Sequence, residues 1–556
     1  MEDSPESDEI RFVPLGGTSE VGMNCYLYGH DGAWLMVDLG IGFADERQPG
    51  VDLLVPDVRF IAQQRETLSG IVVTHAHEDH LGAIPYLWRE LRCPVYATPF
   101  AAAVLKGKFG EFGLTDEVPL IEVPLGRTIG IGPFSVEFIT ITHSIPEANL
   151  LRIETPAGTL VHTGDWKLDP DPLVGPDYDR RRLAHLAEED ILALVGDSTN
   201  ALVPGHSGSE ADVRGRLKDL VSTLRNRVAM TCFATNVARV ETAARVAEAN
   251  GRRLCIVGRA MKTMVAAAQA CGYLENMPEL VDERDVADLP RDEVMLLVTG
   301  SQGEARAALA RIAREEHSHI AFTEGDAVIF SSRIIPGNEK AIHEVQNNLL
   351  HLGVEVLTEE DHFVHVSGHP CREELEQMYQ WVRPRIAIPM HGEQRHLLAN
   401  ASVARSCQVP QVRVSQDGQC LRIHRTEGAS VIDHVAFGRL AVDGGALLPL
   451  DRGPVRERRK LGFEGAAVLT LVVDANGDLA DEPQLTAHGL LPPGEAGDDL
   501  VDRIIDTVER AVQKLQRRDR RSDDAVAETA RVAVRRTLQH ATGRRPMTTV
   551  HLVRVG

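Results

Sequence analysis

The sequence predicts an α/β protein in three parts: a strand-rich domain, a βα segment inserted into it, and a small α/β domain at the C-terminus. Three observations predict this. At 556 residues the chain exceeds the roughly 250–300 residues over which one core keeps growing. Short apolar runs broken by glycine pairs dominate the first 206 residues and resume after about residue 354. Between them, helix-length stretches alternate with short apolar runs, the pattern of a parallel sheet with covering helices.

Taken in order, Trp34–Val37 and Ile71–Val73 read as buried strands that stop at Asp38 and Thr74. After His80, LGAIPYLWREL reads as a helix with an early proline, and strands follow near 134–141, 150–153 and 159–162. Residues 210–225, 236–250 and 261–271 read as helices, interleaved with strands at 227–233, 253–257, 294–298 and 327–331. These place a first domain part at 1–206, an insertion at 207–360 and the return of the first domain at 361–430. Residues 431–465, rich in glycine and charge, read as a linker to a last unit at 466–556. That unit should hold strands at 466–474 and 547–555 and a helix at about 523–541. A further helix should carry Val501, Ile504, Ile505, Val508, Val512 and Leu515 on one face, either packed within the unit or meeting another copy.

Composition bounds the function. Hydrophobic residues at 43% and charged residues at 25% are ordinary for a soluble globular chain, and no apolar run is long enough for a membrane span. The acidic start MEDSPESDEI lacks the features of a signal peptide and reads as a short disordered tail. Eight cysteines, none in a CxxC pair, suit buried thiols in a reducing cytoplasm. A net charge of −22 argues against a nucleic-acid binder, but binding depends on one groove, and bound divalent ions add local positive charge. The basic runs RERRK (456–460) and RRDRR (517–521) read as solvated faces before RNA contacts.

The densest chemistry is THAHEDH at 74–80. His75 and His77, two apart at a strand end, project to one side, and a turn into a helix would aim Asp79 and His80 at a second ion. One turn cannot complete two shells, so further ligands are expected at distant strand ends. His143, Asp165 and His391 each follow an apolar run, and Asp165 suits a bridging role because a carboxylate has two oxygens. Two divalent ions would activate a water and neutralise charge on a phosphate. In HVSGH (365–369), His365, Ser367, Gly368 and His369 offer donors for a phosphate, or a plain strand-to-helix turn. Thr235 and Asn236 precede a helix and would either hold phosphate there or cap it. Asp197, in GDSTN, would orient a ligand histidine.

THAHEDH with His143, Asp165 and His391 resembles the metallo-β-lactamase superfamily, which implies an αββα sandwich. The inserted segment, GDSTN, HVSGH and HGE resemble its β-CASP subgroup, which acts on nucleic acids. LGGTSEVGMN (15–24), TGSQGE (299–304), PGN (336–338) and TGRRPM (542–547) add a resemblance to bacterial ribonuclease J over essentially the whole chain. That resemblance implies a 5′→3′ exoribonuclease preferring 5′-monophosphorylated RNA, with endonuclease activity, acting in RNA maturation and decay. It implies one ion on His75, His77 and His143 and another on Asp79, His80 and His391, with Asp165 between them and zinc or manganese as the metal. Asp79 would also orient the nucleophile, and His369 would serve the phosphate or the leaving group. It further implies a structural calcium near Asp52 and Asp443, a homodimer or homotetramer, and contact with other RNA-decay proteins. Two other readings compete: a hydrolase of a small thioester or lactam, which needs neither the insertion nor HVSGH, and a non-catalytic RNA-binding scaffold, which would not need all seven ligands.

Overall fold

A computed structural model describes residues 6–556, so the first half of the expected acidic tail lies outside the described residues. Ile10 already begins a strand. The chain divides into two compact units, one of residues 1–42 and 55–438 and the other of residues 43–54 and 439–556.

The first unit holds two large sheets packed face to face. One runs in the order 428–434, 419–424, 10–16, 25–30, 33–37, 68–72, 95–97, 120–122. The other runs 411–412, 386–390, 191–197, 158–162, 149–155, 134–140, 128–131. Their facing sides share one core, in which Phe12, Tyr28, Val37 and Val72 meet Phe138, Leu151, Leu160, Val195 and Ile388. Helices cover the far side of the second sheet, where Leu183, Leu375, Met378, Val382 and Val403 pack on Ile139, Leu150, Val161 and Leu194. This is the expected αββα sandwich.

Strand direction positions the site. Strands 158–162, 191–197 and 386–390 are parallel neighbours. Two antiparallel pairings, 134–140 with 149–155 and 149–155 with 158–162, bring 134–140 back into the same direction. Across the core, 33–37 and 68–72 are also parallel. Asp38, His75, His143, Asp165 and His391 therefore each follow the C-terminal end of a strand and Asp197 ends one, where side chains are free to turn out of the sheet.

The insertion forms its own five-stranded sheet, ordered 253–257, 294–298, 228–231, 327–330, 355–357, with every pairing parallel. Its helices Glu210–Thr223, Val237–Ala249 and Arg259–Ala270 lie within two residues of their expected limits. The helix expected after His80 is broken: Glu78–Leu81 stops and Ile84–Leu91 starts afresh with Pro85 in its first turn. A proline is tolerated there because the first-turn N–H groups have no helical partner.

Residues 431–465 are not a structureless linker. They contain strands Arg439–Asp443 and Ala446–Pro449 and the helix Gly453–Glu464. The two strands join a four-stranded sheet with 53–56 and 42–43, a pairing that short, distant runs do not announce. The last three-stranded sheet packs on helices Glu495–Gln513 and Asp523–Thr542. Ile504, Val508 and Val512 are buried in that core and Leu515 packs against it, while Val501 and Ile505 are half-buried, so most of the apolar face at 501–515 is covered within its own unit.

Candidate metal centre

Three groups of ligand atoms meet at Asp165. His75, His77, His143 and Asp165 form one, Asp79, His80, Asp165 and His391 a second, and Asp165, Asp197, His369 and His391 a third, each with its ligand atoms within 4.8 Å of one another. All seven expected residues are thus brought together, from four strand ends and one turn.

Hydrogen bonds at the outer nitrogens fix which imidazole atoms face inward. His143 Nδ1 lies 2.5 Å from the carbonyl oxygen of Gly368 and must donate to it, which leaves Nε2 with its lone pair. His80 Nδ1 donates to Asp38 Oδ2 at 2.7 Å, which frees its Nε2 in the same way. Thr74 gives its hydroxyl hydrogen to Asp38 at 2.9 Å, so its oxygen can accept from His75 Nδ1 at 3.0 Å. Two lone-pair nitrogens then converge on His77 Nδ1, which stands 3.1 Å from His75 Nε2 and 3.0 Å from His143 Nε2. One ring hydrogen can bridge only one of these contacts, so three nitrogens this close suit a shared cation. Asp165 is buried, with Oδ1 3.1 Å from His391 Nδ1 and Oδ2 3.9 Å from both His75 Nε2 and His143 Nε2 and 3.1 Å from His80 Nε2. The donor set fits divalent ions bound by imidazole and carboxylate.

Charge divides the site. Burial pushes His75 and His143 well below the usual histidine range and His77 down to about 4, so these three rings are neutral. Burial also pulls on His391 and His80, but carboxylates outweigh it. Asp165 leads in both cases, and His391 rises to about 10 and His80 well above its usual value. Asp79 and Asp165, which burial alone would raise, are held low by these imidazolium neighbours. Protons here balance carboxylates that a divalent cation would otherwise neutralise.

HVSGH borders the cluster. His369 Nδ1 lies 2.8 Å from Asp197 Oδ2, and its ring centre is 5.1 Å from that of His143 and 5.4 Å from that of His391. Asp197, expected to orient a ligand histidine, lies 3.5 Å from His391 Nδ1 and also 2.8 Å from His369, and the Thr199 hydroxyl stands 3.0 Å from the same His391 nitrogen. Gly368 does allow a close approach, but through its carbonyl: a Cβ there would stand 2.6 Å from His143 Cε1. Ser367 accepts from Asn200 at 2.7 Å, and Arg333 reaches Asn200 at 3.3 Å. His365 Nδ1 is buried without a partner.

Asn236 Oδ1 accepts the N–H of Arg239 at 2.9 Å and so caps its helix. Thr235 lines a cavity of about 680 Å³ that also holds Lys108, Arg259, Arg306 and Arg311. At the expected calcium position, Asp443 is spanned by Arg458, at 3.1 and 2.6 Å, and an added Gly50 Cβ would lie 3.5 Å from the same guanidinium. Asp52 and Asp443 belong to no group of three metal-ligating side chains among the described residues. An arginine already supplies positive charge to Asp443, which does not fit a calcium site there.

Sequence reasoning missed Asp38, Thr74, Thr199, Asn200 and Arg333. Only Asp38 left a signal, as a carboxylate directly after four apolar strand residues. Among the described residues no helix is long and apolar enough to cross a membrane, and all eight cysteines are free.

Known proteins share this arrangement. Residues 19–206 match the metallo-β-lactamase superfamily, and residues 353–407 match the Zn-dependent metallo-hydrolase RNA specificity domain. Residues 225–349 match the ribonuclease J β-CASP domain, and residues 453–555 the ribonuclease J C-terminal domain. The chain is 42% identical to ribonuclease J of Sinorhizobium meliloti over 100% of this chain and 99% of that one. It is 34% identical to ribonuclease J of Thermus thermophilus over 97% and 94% of the two chains. A solved Enterococcus faecalis protein of unknown function shares the fold, with a TM-score of 0.51 and 16% identity over 75% of this chain and 100% of that one. With its metal-binding cluster of histidines and aspartates on this scaffold, the chain belongs to the ribonuclease J family and is a metal-dependent ribonuclease.

Proposed function

We propose that the chain is a 5′→3′ exoribonuclease preferring a 5′-monophosphate, with endonuclease activity as well, and that it acts in RNA maturation and decay. His75, His77 and His143 would hold one divalent ion and Asp79, His80 and His391 the other, with Asp165 shared and zinc or manganese as the metal. When bound, such ions lower the pKa of a water and screen charge on the scissile phosphate.

The observation that carries this reading is the nearness of HVSGH to the cluster, through the 2.5 Å contact of Gly368 O with His143 Nδ1. A terminal phosphate held by Ser367 and His369 would lie beside the hydrolytic centre, which favours cleavage near the 5′ end. His369 donates from Nδ1 to Asp197, which leaves Nε2 for substrate. Burial lowers its proton affinity, but Asp197 and Asp165 more than reverse this, so His369 keeps its proton above the usual histidine range. A protonated ring suits both a phosphate oxygen and a leaving group.

The test uses 5′-monophosphorylated and 5′-triphosphorylated RNA with manganese or zinc, beside Asp79→Ala and a chelator control. Mononucleotides released from the monophosphorylated end, and lost in the variant, support the proposal. RNA bound but left intact supports a scaffold, and turnover of a thioester without RNA cleavage supports the small-substrate hydrolase. His369→Ala should harm exonucleolytic release more than internal cleavage; equal loss counts against its role at the phosphate.

A further inference from the structure

The turn LGGTSEVGMN at 15–24 has no role in the reading above, yet it touches both flanks of the Asp79–His80–His391 group. At one end Gly17 O accepts the N–H of His391 at 2.7 Å, and Thr18 and Glu20 both bridge to Gly392. At the other end the Asn24 N–H donates to Asp79 O at 2.9 Å, and Asn24 O accepts from the Gly40 N–H at 2.9 Å.

The side chain of Asn24 is fully buried at the ligands themselves. Its Nδ2 lies 3.1 Å from Asp79 O, 3.5 Å from Asp79 Oδ2 and 2.9 Å from His80 Nε2. The amide orientation follows from these neighbours. Turned over, its oxygen would face the carbonyl oxygen of Asp79, acceptor against acceptor, so the NH₂ end must point to Asp79 and His80. The Tyr26 hydroxyl, 2.8 Å from Oδ1, holds the other end. Glycine is required at 17 for this lock: φ is +85°, and a Cβ would stand 2.1 Å from the Tyr26 oxygen and 2.6 Å from Asn24 Oδ1.

We infer that Asn24, locked by Tyr26, is a positioning residue for the second ion. One amide hydrogen ties down the Asp79 backbone. The other points toward Asp79 Oδ2 at 3.5 Å, beside His80, whose own Nδ1–H is held by Asp38. Asp79 is thereby fixed next to His80 and opposite His391 before an ion arrives. Neither Asn24 nor Tyr26 hydrogen-bonds to His75, His77 or His143, so the first ion should not depend on them. The inference rests on the two-ion reading above.

The test is calorimetric titration of the metal-stripped full chain with zinc and with manganese, with bound metal counted by elemental analysis. The wild type should take two ions. Asn24→Ala should take the first with wild-type affinity and bind the second about 10–100-fold more weakly, the usual effect of removing a partner behind a metal ligand. Tyr26→Phe, which keeps the ring and loses only the hydroxyl, should weaken the second ion several-fold. Raising manganese should restore turnover by Asn24→Ala. Two ions bound as in the wild type, or equal weakening of both, overturns the inference. If Asn24→Ala does not fold, Tyr26→Phe decides by the same criterion. A wild type that binds a single ion overturns the two-ion reading itself, and that outcome appears in a separate arm.

Discussion

Replacing Glu210 with glutamine removes the carboxylate that faces the buried guanidinium of Arg239. The two side chains are 1% and 0% exposed, and Arg239 reaches Glu210 through Nε and Nη2 at 3.0–3.2 Å. Its Nη1 donates to Ser331 O at 2.9 Å and to Val364 O at 3.0 Å. Glutamine can still accept a hydrogen bond, so the loss is mainly that of charge compensation around a cation with no access to water. Breaking a buried pair from one side costs about 3–5 kcal/mol, and the surviving hydrogen bonds place this case near about 3 kcal/mol, roughly a hundredfold in the folding equilibrium. Removing both charges with Glu210→Leu and Arg239→Met should cost less than the two single changes added together. All four tryptophans, Trp34, Trp88, Trp166 and Trp381, lie in the first unit, so urea unfolding followed by their fluorescence reports on the right part of the chain. Because Val364 O immediately precedes HVSGH, the single variant should also lose discrimination between 5′-monophosphorylated and 5′-triphosphorylated RNA. A cost below about 1 kcal/mol would refute the claim that this pair is desolvated and coupled.

Asp38→Ala removes the acceptor that fixes the His80 tautomer and should weaken the proposed second ion about 10–100-fold in a metal titration; unchanged binding would mean that Thr74 suffices. Asp169 is paired with Lys167 at 2.7 Å; burial raises its pKa, but Lys167 and the Glu210 N–H outweigh this and leave it lowered. Its contribution is therefore present above the unfolded value of about 3.9 and lost as pH falls below it, so between about pH 5 and 3 the wild type should lose more stability than Asp169→Asn. Parallel losses in acid unfolding curves would contradict that sign. Calcium should leave the melting temperature unchanged because Arg458 already spans Asp443, and a rise on adding calcium would show that the guanidinium yields to the ion.

Much of the fold was legible because its elements are local. The strand at 253–257 and the helices at 210–223 and 237–249 are set by apolar periodicity and by caps within a few residues, such as Ser209 and Asn236. Residues 439–449 failed for the opposite reason. Their strands are short and half-exposed, and they pair with 53–56, nearly four hundred residues away, so no local pattern distinguishes them from charged loop. The apolar face at 501–515 was legible as a face but not in its destination, because periodicity shows that a side must be covered without showing what covers it.

The site divides along the same line. Its ligands were legible because ligand chemistry restricts residue type, and because His143, Asp165 and His391 each follow an apolar strand. The groups behind them escaped because a hydrogen-bond partner needs only an oxygen. His143 is held by the backbone carbonyl of Gly368, His391 by the hydroxyl of Thr199, and His80 by the carboxylate of Asp38. A carbonyl can belong to any residue, and a threonine after a strand is too common to stand out. These contacts nevertheless decide which nitrogen of each ring is free. For His143 the deciding residue comes 225 positions later, in the motif proposed to hold the terminal phosphate. A shift of that motif would therefore move a proposed metal ligand directly, so on the proposed reading phosphate recognition and hydrolysis are joined by one hydrogen bond that neither motif reveals alone.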